Sequence, residues 1–165
     1  MADTAETGSN LRYILGTDEA EIDARGRILV SKKKRERLGE SFVLAFTPTG
    51  CLAAYPEERW VRKLSEIEEY HSINQGREQF SRLLMMWAED DLSFDAQGRF
   101  VIPQKLRDLA KLKDKVLLIG CGDRMEIWAV EEWQEYNSYP DTYGQQRREA
   151  IQKAYAQMTG RPAQP

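Results

Sequence analysis

Residues 23–27 of the chain are DARGR, and 72 positions later residues 95–99 are DAQGR. The similarity extends outward from these five residues. Residues 21–38, EIDARGRILVSKKKRERL, align without a gap with residues 93–110, SFDAQGRFVIPQKLRDLA. After one inserted residue, 42–60 align with 115–133, which places Trp60 over Trp133. A unit of about 40 residues is therefore used twice, and the fold has to be built from two copies of it.

Each copy predicts the same local structure around its turn. Gly26 and Gly98 supply the backbone freedom of a tight turn, and Asp23 and Asp95 structure the turn by accepting nearby amides. A short apolar strand follows, and a short basic helix comes next. The strands before the two turns are predicted to end at Ile22 and Phe94. The helices are predicted to begin at an N-cap, Ser31, in the first copy and with a first-turn proline, Pro103, in the second, and to end near Gly39 and Leu112.

Two more strands and the start of another helix complete each copy. The strands are Val43–Thr47 with Cys51–Tyr55 in the first copy and Val116–Gly120 with Met125–Trp128 in the second, and the helices open at Glu57 and Glu131. One copy is too small to bury a core of its own, so we expect the two to pair across a pseudo-twofold axis and share one core.

Two further helices are predicted outside the copies. Phe80, Leu83, Leu84 and Trp87 have the i, i+3, i+4, i+7 spacing of a packed helix that links the copies. An alternative is that Met85, Met86 and Trp87 line a ligand groove. Residues 145–158 predict an amphipathic C-terminal helix, and both chain ends are expected to be disordered tails.

Composition excludes several classes of protein. No apolar run approaches the roughly 20 residues of a membrane span, and the polar, acidic start is not a signal peptide, which predicts a cytoplasmic protein. Two cysteines and one histidine cannot form a structural zinc site or a disulfide framework. We interpret Cys51 and Cys121 as small, partly buried residues and His71 as core-facing or at a helix end. The sequence offers no metal set, cofactor motif, small-molecule site or catalytic constellation, so an enzyme is not expected.

Positive charge is concentrated where the repeated turns begin. The chain carries a net charge of −3, yet residues 25–37 carry +6 and residues 99–115 carry +4, which leaves −13 for the remainder. Two basic blocks with arginines at both turns suit the phosphates and guanine edges of DNA. The alternative is structural: Arg27 pairs with Asp23, Arg99 pairs with Asp95, and the run Lys32–Lys34 is a solvated helix face.

The order of these landmarks resembles the MraZ family of bacterial transcriptional regulators, in the SpoVT/AbrB-like superfamily. The similarity covers about Leu15 to Tyr136 and comprises both turn motifs, the strand pair ending in Tyr55-Pro56, and the motifs FVIP, KLRDL, VLLIG, EIW and EEW. It implies an α+β fold, a double-split β-α-β barrel built from two tandem repeats. It also implies binding to double-stranded DNA through the turn motifs, by subunits assembled as a ring.

The resemblance and the basic blocks together give one set of expected DNA-binding residues. These are Arg25, Arg27, Lys33, Arg35, Arg99, Lys105 and Arg107. The expected organisation is a tail over 1–11, a first repeat over 12–71, a helical linker over 72–90, a second repeat over 91–137, and a connector, helix and tail over 138–165. Family members usually repress their own division and cell-wall operon by binding direct repeats in its promoter, which implies a nucleoid-associated protein.

Two other functions fit the sequence. One is an antitoxin or transition-state regulator of the AbrB type, although such proteins are usually swapped dimers of a single copy, so the internal duplication argues against it. The other is a ring-forming scaffold that binds a protein partner, with DNA contact incidental.

Overall fold

A computed structural model of the chain describes residues 13–137 and 145–160, with side chains described from residue 149 in the second range. These residues fall into two units, one up to Glu132 and one from Trp133 onward. The predicted N-terminal tail, the connector after Asn137 and the last five residues lie outside the described ranges. No helix in the described ranges is both long enough and apolar enough to cross a bilayer.

The first unit contains all eight strands of the described residues. The strands are β1 (Thr17–Glu21), β2 (Arg27–Leu29), β3 (Phe42–Phe46), β4 (Leu52–Pro56), β5 (Glu89–Leu92), β6 (Arg99–Val101), β7 (Lys115–Gly120) and β8 (Met125–Ala129). The helices are α1 (Lys32–Leu38), α2 (Glu57–Glu68), α3 (Gln75–Met85), α4 (Gln104–Leu109), α5 (Val130–Tyr136), which crosses into the second unit, and α6 (Gln145–Thr159) within it. The predicted mixture of helices with antiparallel strands is confirmed, and so is the C-terminal helix.

Four of the six strand pairings in the described residues join the two copies. Six of them form an antiparallel sheet in the order β1-β7-β8-β4-β3-β5, and β2 pairs with β6 as a separate two-stranded ribbon. The outer strand of each copy is hydrogen-bonded to the other copy: β1 lies against β7, and β5 lies against β3. Reversing the sheet order exchanges every strand for its counterpart in the other copy, which is the pattern of a pseudo-twofold axis.

The main core is built from both copies. Ile28 and Phe100, which face each other across the ribbon, are buried in it. Phe42 of the first copy packs against Phe94 and Phe100 of the second, with ring centroids 5.0 Å apart in both pairs. Because these rings come from different copies, burying them holds the two copies together. A second cluster forms where α2 and α3 cover β3 and β4.

Several local predictions differ from the structure in their details. Pro103 is the N-cap of α4 rather than its first residue, because its backbone is extended (φ −54°, ψ 140°) and the helix begins at Gln104. Ser31 is the N-cap of α1, but its side chain makes no capping hydrogen bond. The strands before the turns end at Glu21 and Leu92, one and two residues earlier than predicted.

Fewer apolar side chains of the linker helix are buried than their spacing predicted. Leu84 is buried and is the residue that α3 contributes to the second cluster, but Phe80 and Leu83 remain 41% and 55% exposed. The side chains of Phe80, Leu83, Leu84 and Trp87 instead line an open apolar cavity of about 190 Å³ beside Phe46. Of the two interpretations of His71, the helix-end one is confirmed: the residue lies just beyond the end of α2, and it is exposed rather than core-facing.

Cys121 is partly buried, as predicted, whereas Cys51 is fully buried. Burial raises the pKa of the Cys121 thiol to about 12 and also raises that of Cys51. Both thiols are therefore protonated at neutral pH, which makes them poor nucleophiles.

Lys34 lies in the core rather than on a solvated helix face. Its side chain is 5% exposed, and its Nζ donates to Oδ2 of Asp18 in β1 at 2.5 Å. The aligned residue of the second copy is Leu106, which is fully buried. The first copy thus fills an apolar position with a lysine and compensates its charge with an aspartate.

The Lys34–Asp18 pair predicts unequal effects of removing its two members. Asp18→Ala should lower the free energy of unfolding by about 1–3 kcal/mol, because it leaves a buried ammonium group without its partner. Lys34→Leu copies the second repeat and should leave the protein at least as stable as the parent. Urea unfolding followed by tryptophan fluorescence checks both variants. The double variant Asp18→Ala/Lys34→Leu should recover most of the loss, and an undiminished loss there would contradict this account.

Candidate nucleic-acid interface

The turn between β1 and β2 is organised by a single carboxylate. Oδ1 of Asp23 accepts the backbone amides of Arg25 and Arg27, each at 2.9 Å. The Asp23 carbonyl accepts the amide of Gly26 at 2.9 Å, and Gly26 has a φ of +79°, which favours glycine. Oδ2 of Asp23 accepts Nε of Arg27 at 2.7 Å. The acidic residue therefore fixes both the backbone of the turn and the direction of the arginine.

The second turn, between β5 and β6, repeats this geometry. Oδ1 of Asp95 accepts the amides of Gln97 at 3.0 Å and Arg99 at 2.9 Å, and Oδ2 accepts Nε of Arg99 at 3.0 Å. Gly98 has a φ of +83°. The Asp–Arg pairs of the structural alternative are thus present in both copies.

The ion pairs do not use the whole guanidinium group. Within residues 13–137 and 145–160, neither terminal nitrogen of Arg27 makes a hydrogen bond. One terminal nitrogen of Arg99 donates weakly to Gln97 at 3.3 Å. The two arginine side chains are 25% and 30% exposed. Each arginine can therefore stabilise its turn through Nε and still donate hydrogen bonds to a ligand from its terminal nitrogens.

The ribbon brings the two arginines onto one surface. Arg27 is paired with Val101, and Leu29 is paired with Arg99, while Ile28 and Phe100 point into the core between them. Because side chains alternate along a strand, all four flanking residues lie on the outer face. Arg27 and Arg99 are diagonal neighbours there, about 7–8 Å apart at their Cα atoms.

Sequence reasoning overlooked the two apolar residues on this face. Leu29 is 57% exposed and Val101 is 49% exposed, although both belong to short apolar strands that look like core sequence. The available signal was the period of two. With Ile28 and Phe100 assigned inward, their neighbours had to point outward.

The remaining predicted DNA-binding residues are of two kinds. Arg25 and Lys33 are exposed, and Lys105 is about half exposed in an ion pair with Glu89. Arg35 and Arg107 are only partly exposed, because each guanidinium lies against the glycine of the opposite copy's turn, Arg35 at Gly98 and Arg107 at Gly26.

The carboxyl groups of Asp23 and Asp95 stay ionised at physiological pH. The amide of Arg27 is the largest influence on Asp23, and with the Arg27 side chain and the amide of Arg25 it lowers the pKa of Asp23 from 3.8 to about 2. The pKa of Asp95 is lowered in the same way, chiefly by the amide of Arg99. Among the described residues, no group of histidine, cysteine, aspartate and glutamate side chains could hold a metal ion.

The lowered pKa values predict a pH dependence confined to strong acid. The folded protein binds the Asp23 proton less tightly than the unfolded chain does. The stabilising contribution of this carboxylate is therefore complete above about pH 4 and is lost as the pH falls toward 2. Carboxyl NMR titration should give a midpoint near 2 for Asp23. The Arg27→Ala variant should raise that midpoint only in part, because the backbone amides remain.

Comparison with known proteins places the chain in a family. The profile of the family described as "MraZ protein, putative antitoxin-like" matches residues 13–83 and 85–153, one match for each copy. The transcriptional regulator MraZ of Lactiplantibacillus plantarum is 36% identical over 123 residues, which cover 74% of this chain and 86% of that protein.

Two further relatives agree. The protein of the same name from Thermoanaerobacter sp. is 36% identical over 128 residues, covering 78% of this chain and 89% of its own length. The one from Desulforamulus reducens is 31% identical over 137 residues, covering 83% and 96%. The double match agrees with the internal repeat, and the expected relationship is confirmed: the chain belongs to the MraZ family.

Proposed function

We propose that the chain is a sequence-specific transcriptional regulator that inserts the β2–β6 ribbon into the major groove of double-stranded DNA. The observation that supports this most directly is the pair Arg27 and Arg99 on the outer face of a two-stranded ribbon. The major groove is about 12 Å wide and admits such a ribbon. The names of the relatives, transcriptional regulators in each case, point to the same role.

The outer face carries the chemistry for reading bases. The terminal N–H groups of an arginine match the O6 and N7 acceptors of guanine, and the exposed side chains of Leu29 and Val101 match the methyl group of thymine. Because Nε of each arginine is held by an aspartate, the guanidinium is directed before DNA arrives, so less entropy is lost on binding.

Phosphate contacts are assigned to basic residues at the edges of this face. Arg25 lies in the first turn, and Lys33 and Lys105 occupy equivalent positions on α1 and α4. Lys105 exchanges its ion pair with Glu89 for a phosphate when DNA binds. The acidic remainder of the chain repels DNA, so binding is confined to this face.

The finer features follow the family resemblance. The two repeats, with strands exchanged between them, build a double-split β-α-β barrel, and the subunits assemble into a closed ring. A ring presents one ribbon per subunit, so direct repeats in a promoter are bound together and affinity rises through effective concentration. The protein then acts at the nucleoid, in the cytoplasm, as a repressor of its own division and cell-wall operon and not as an enzyme.

Removing either ribbon arginine tests the interface. Arg27→Ala and Arg99→Ala should each weaken binding to the DNA upstream of the protein's own gene by about 1–3 kcal/mol, because each removes a two-point contact to a base. Fluorescence anisotropy at several salt concentrations measures the affinity. The matched control is Arg62→Ala on α2, an exposed arginine outside both basic blocks, which should bind like the parent. If all three variants bind equally well, the ribbon arginines serve only the turns and the proposed interface is wrong.

The ring predicts a discrete assembly. Light scattering coupled to size-exclusion chromatography should show a single species whose mass is a fixed multiple of the 19.1 kDa subunit at all concentrations above the assembly threshold. A monomer, or a mass that climbs continuously with concentration, would contradict a closed ring.

A further inference from the structure

We infer that Arg35 and Arg107 are positioning residues, each of which holds the turn of the opposite repeat in the shape that presents its DNA-binding arginine. Arg35 of the first repeat supports the turn that carries Arg99, and Arg107 of the second supports the turn that carries Arg27. The link to DNA rests on the proposed function above, whereas the crossed support is a property of the free protein.

The contacts that carry this inference are at the two glycines. A Cβ added to Gly98 would lie 2.5 Å from Cζ of Arg35, and one added to Gly26 would lie 2.7 Å from Cζ of Arg107. Distances this short mean that each guanidinium lies directly on the bare backbone of the glycine. The turn glycines therefore meet two requirements, a positive φ and the close approach of an arginine from the other repeat.

Backbone hydrogen bonds reinforce the same crossed arrangement. The amide of Val30 donates to the carbonyl of Gly98 at 3.1 Å, and the carbonyl of Val30 accepts Nε of Arg35 at 3.0 Å. Val30 thus fixes both Arg35 and the turn on which Arg35 lies. In the second repeat, the amide of Ile102 donates to the carbonyl of Gly26 at 2.8 Å.

The two supports are not identical. Nε of Arg107 is buried and, within the part of the chain that the structure describes, has no hydrogen-bond partner. Arg35 is therefore anchored through Nε to the carbonyl of Val30, whereas Nε of Arg107 has no such anchor among the described residues. We therefore expect removal of Arg35 to speed amide exchange in residues 95–99 more than removal of Arg107 speeds it in residues 23–27.

An arginine suits this position for a physical reason. Its planar group is weakly hydrated and can cover a peptide surface with its face while its edge stays available for hydrogen bonds, which a compact and strongly hydrated lysine ammonium cannot do. Burying the face against glycine also restricts the approach of DNA to these two side chains. Arg35 and Arg107 thus affect binding through Arg99 and Arg27 rather than by direct contact with bases.

Hydrogen exchange of the free protein tests the crossed support without DNA. In Arg35→Ala, amide exchange measured by mass spectrometry should speed up severalfold in the peptide containing residues 95–99 and stay unchanged in the peptide containing 23–27. Arg107→Ala should give the reverse pattern with a smaller increase. The matched control is Lys32→Ala, which removes the same charge from an exposed position on α1 and should change neither turn.

DNA affinities then show whether the support serves binding. Arg35→Ala should weaken binding in the parent and in Arg27→Ala by the same factor, but should cost little in Arg99→Ala, where the residue that it positions is already gone. Equal losses in all three backgrounds would show that Arg35 contacts DNA directly. If Arg27→Ala and Arg99→Ala bind normally, the proposed function fails, while the exchange experiment still decides the support.

A second variant covers the case in which Arg35→Ala does not fold. Arg35→Met keeps the aliphatic stem and should show the same rise in exchange at residues 95–99. A rise confined to residues 23–27, or exchange unchanged in both turns, would overturn the crossed support.

Discussion

The first strand of each repeat has its hydrogen-bonding partner in the other repeat, and the rest of the structure depends on this exchange. β1 completes the sheet beside β7, and β5 completes it beside β3. The ribbon likewise forms by pairing β2 of the first repeat with β6 of the second. Neither repeat could satisfy its backbone or bury Ile28 and Phe100 alone. The same exchange sets the two arginine-bearing turns at opposite ends of one short ribbon.

The aspartate of each turn links stability with recognition. Its carboxylate uses one oxygen for backbone amides and the other for Nε of the arginine, so the turn and the direction of the guanidinium are fixed by one group. A structural pair and a DNA-binding residue therefore need not be alternatives. The donor count of arginine permits both roles, because an Nε in an ion pair leaves four N–H groups at the other end.

Differences between the repeats show which features the shared fold requires. The turn, its glycine and the supporting arginine occur in both copies, whereas the core position filled by Leu106 is taken by Lys34 in the first, with Asp18 as its partner. A lysine in the core is tolerated because its charge is compensated, which makes the two halves similar in backbone and different in energetics. The acidic character of β1 is explained in part by this pair.

Much of the fold and part of the candidate site could be predicted from the sequence. The features that could not be predicted share a physical reason. The sequence by itself determined the duplication, the glycine turns, the order of strands and helices, and the arginines at the turns, because these depend on steric preferences and hydrogen bonds between residues a few positions apart. It did not reveal that Lys34 is buried or that Phe80 and Leu83 of α3 stay exposed. Only the tertiary structure decided that Arg35 and Arg107 lie on the turns of the opposite repeats. That placement depends on the register between strands distant in sequence, which local preferences do not encode.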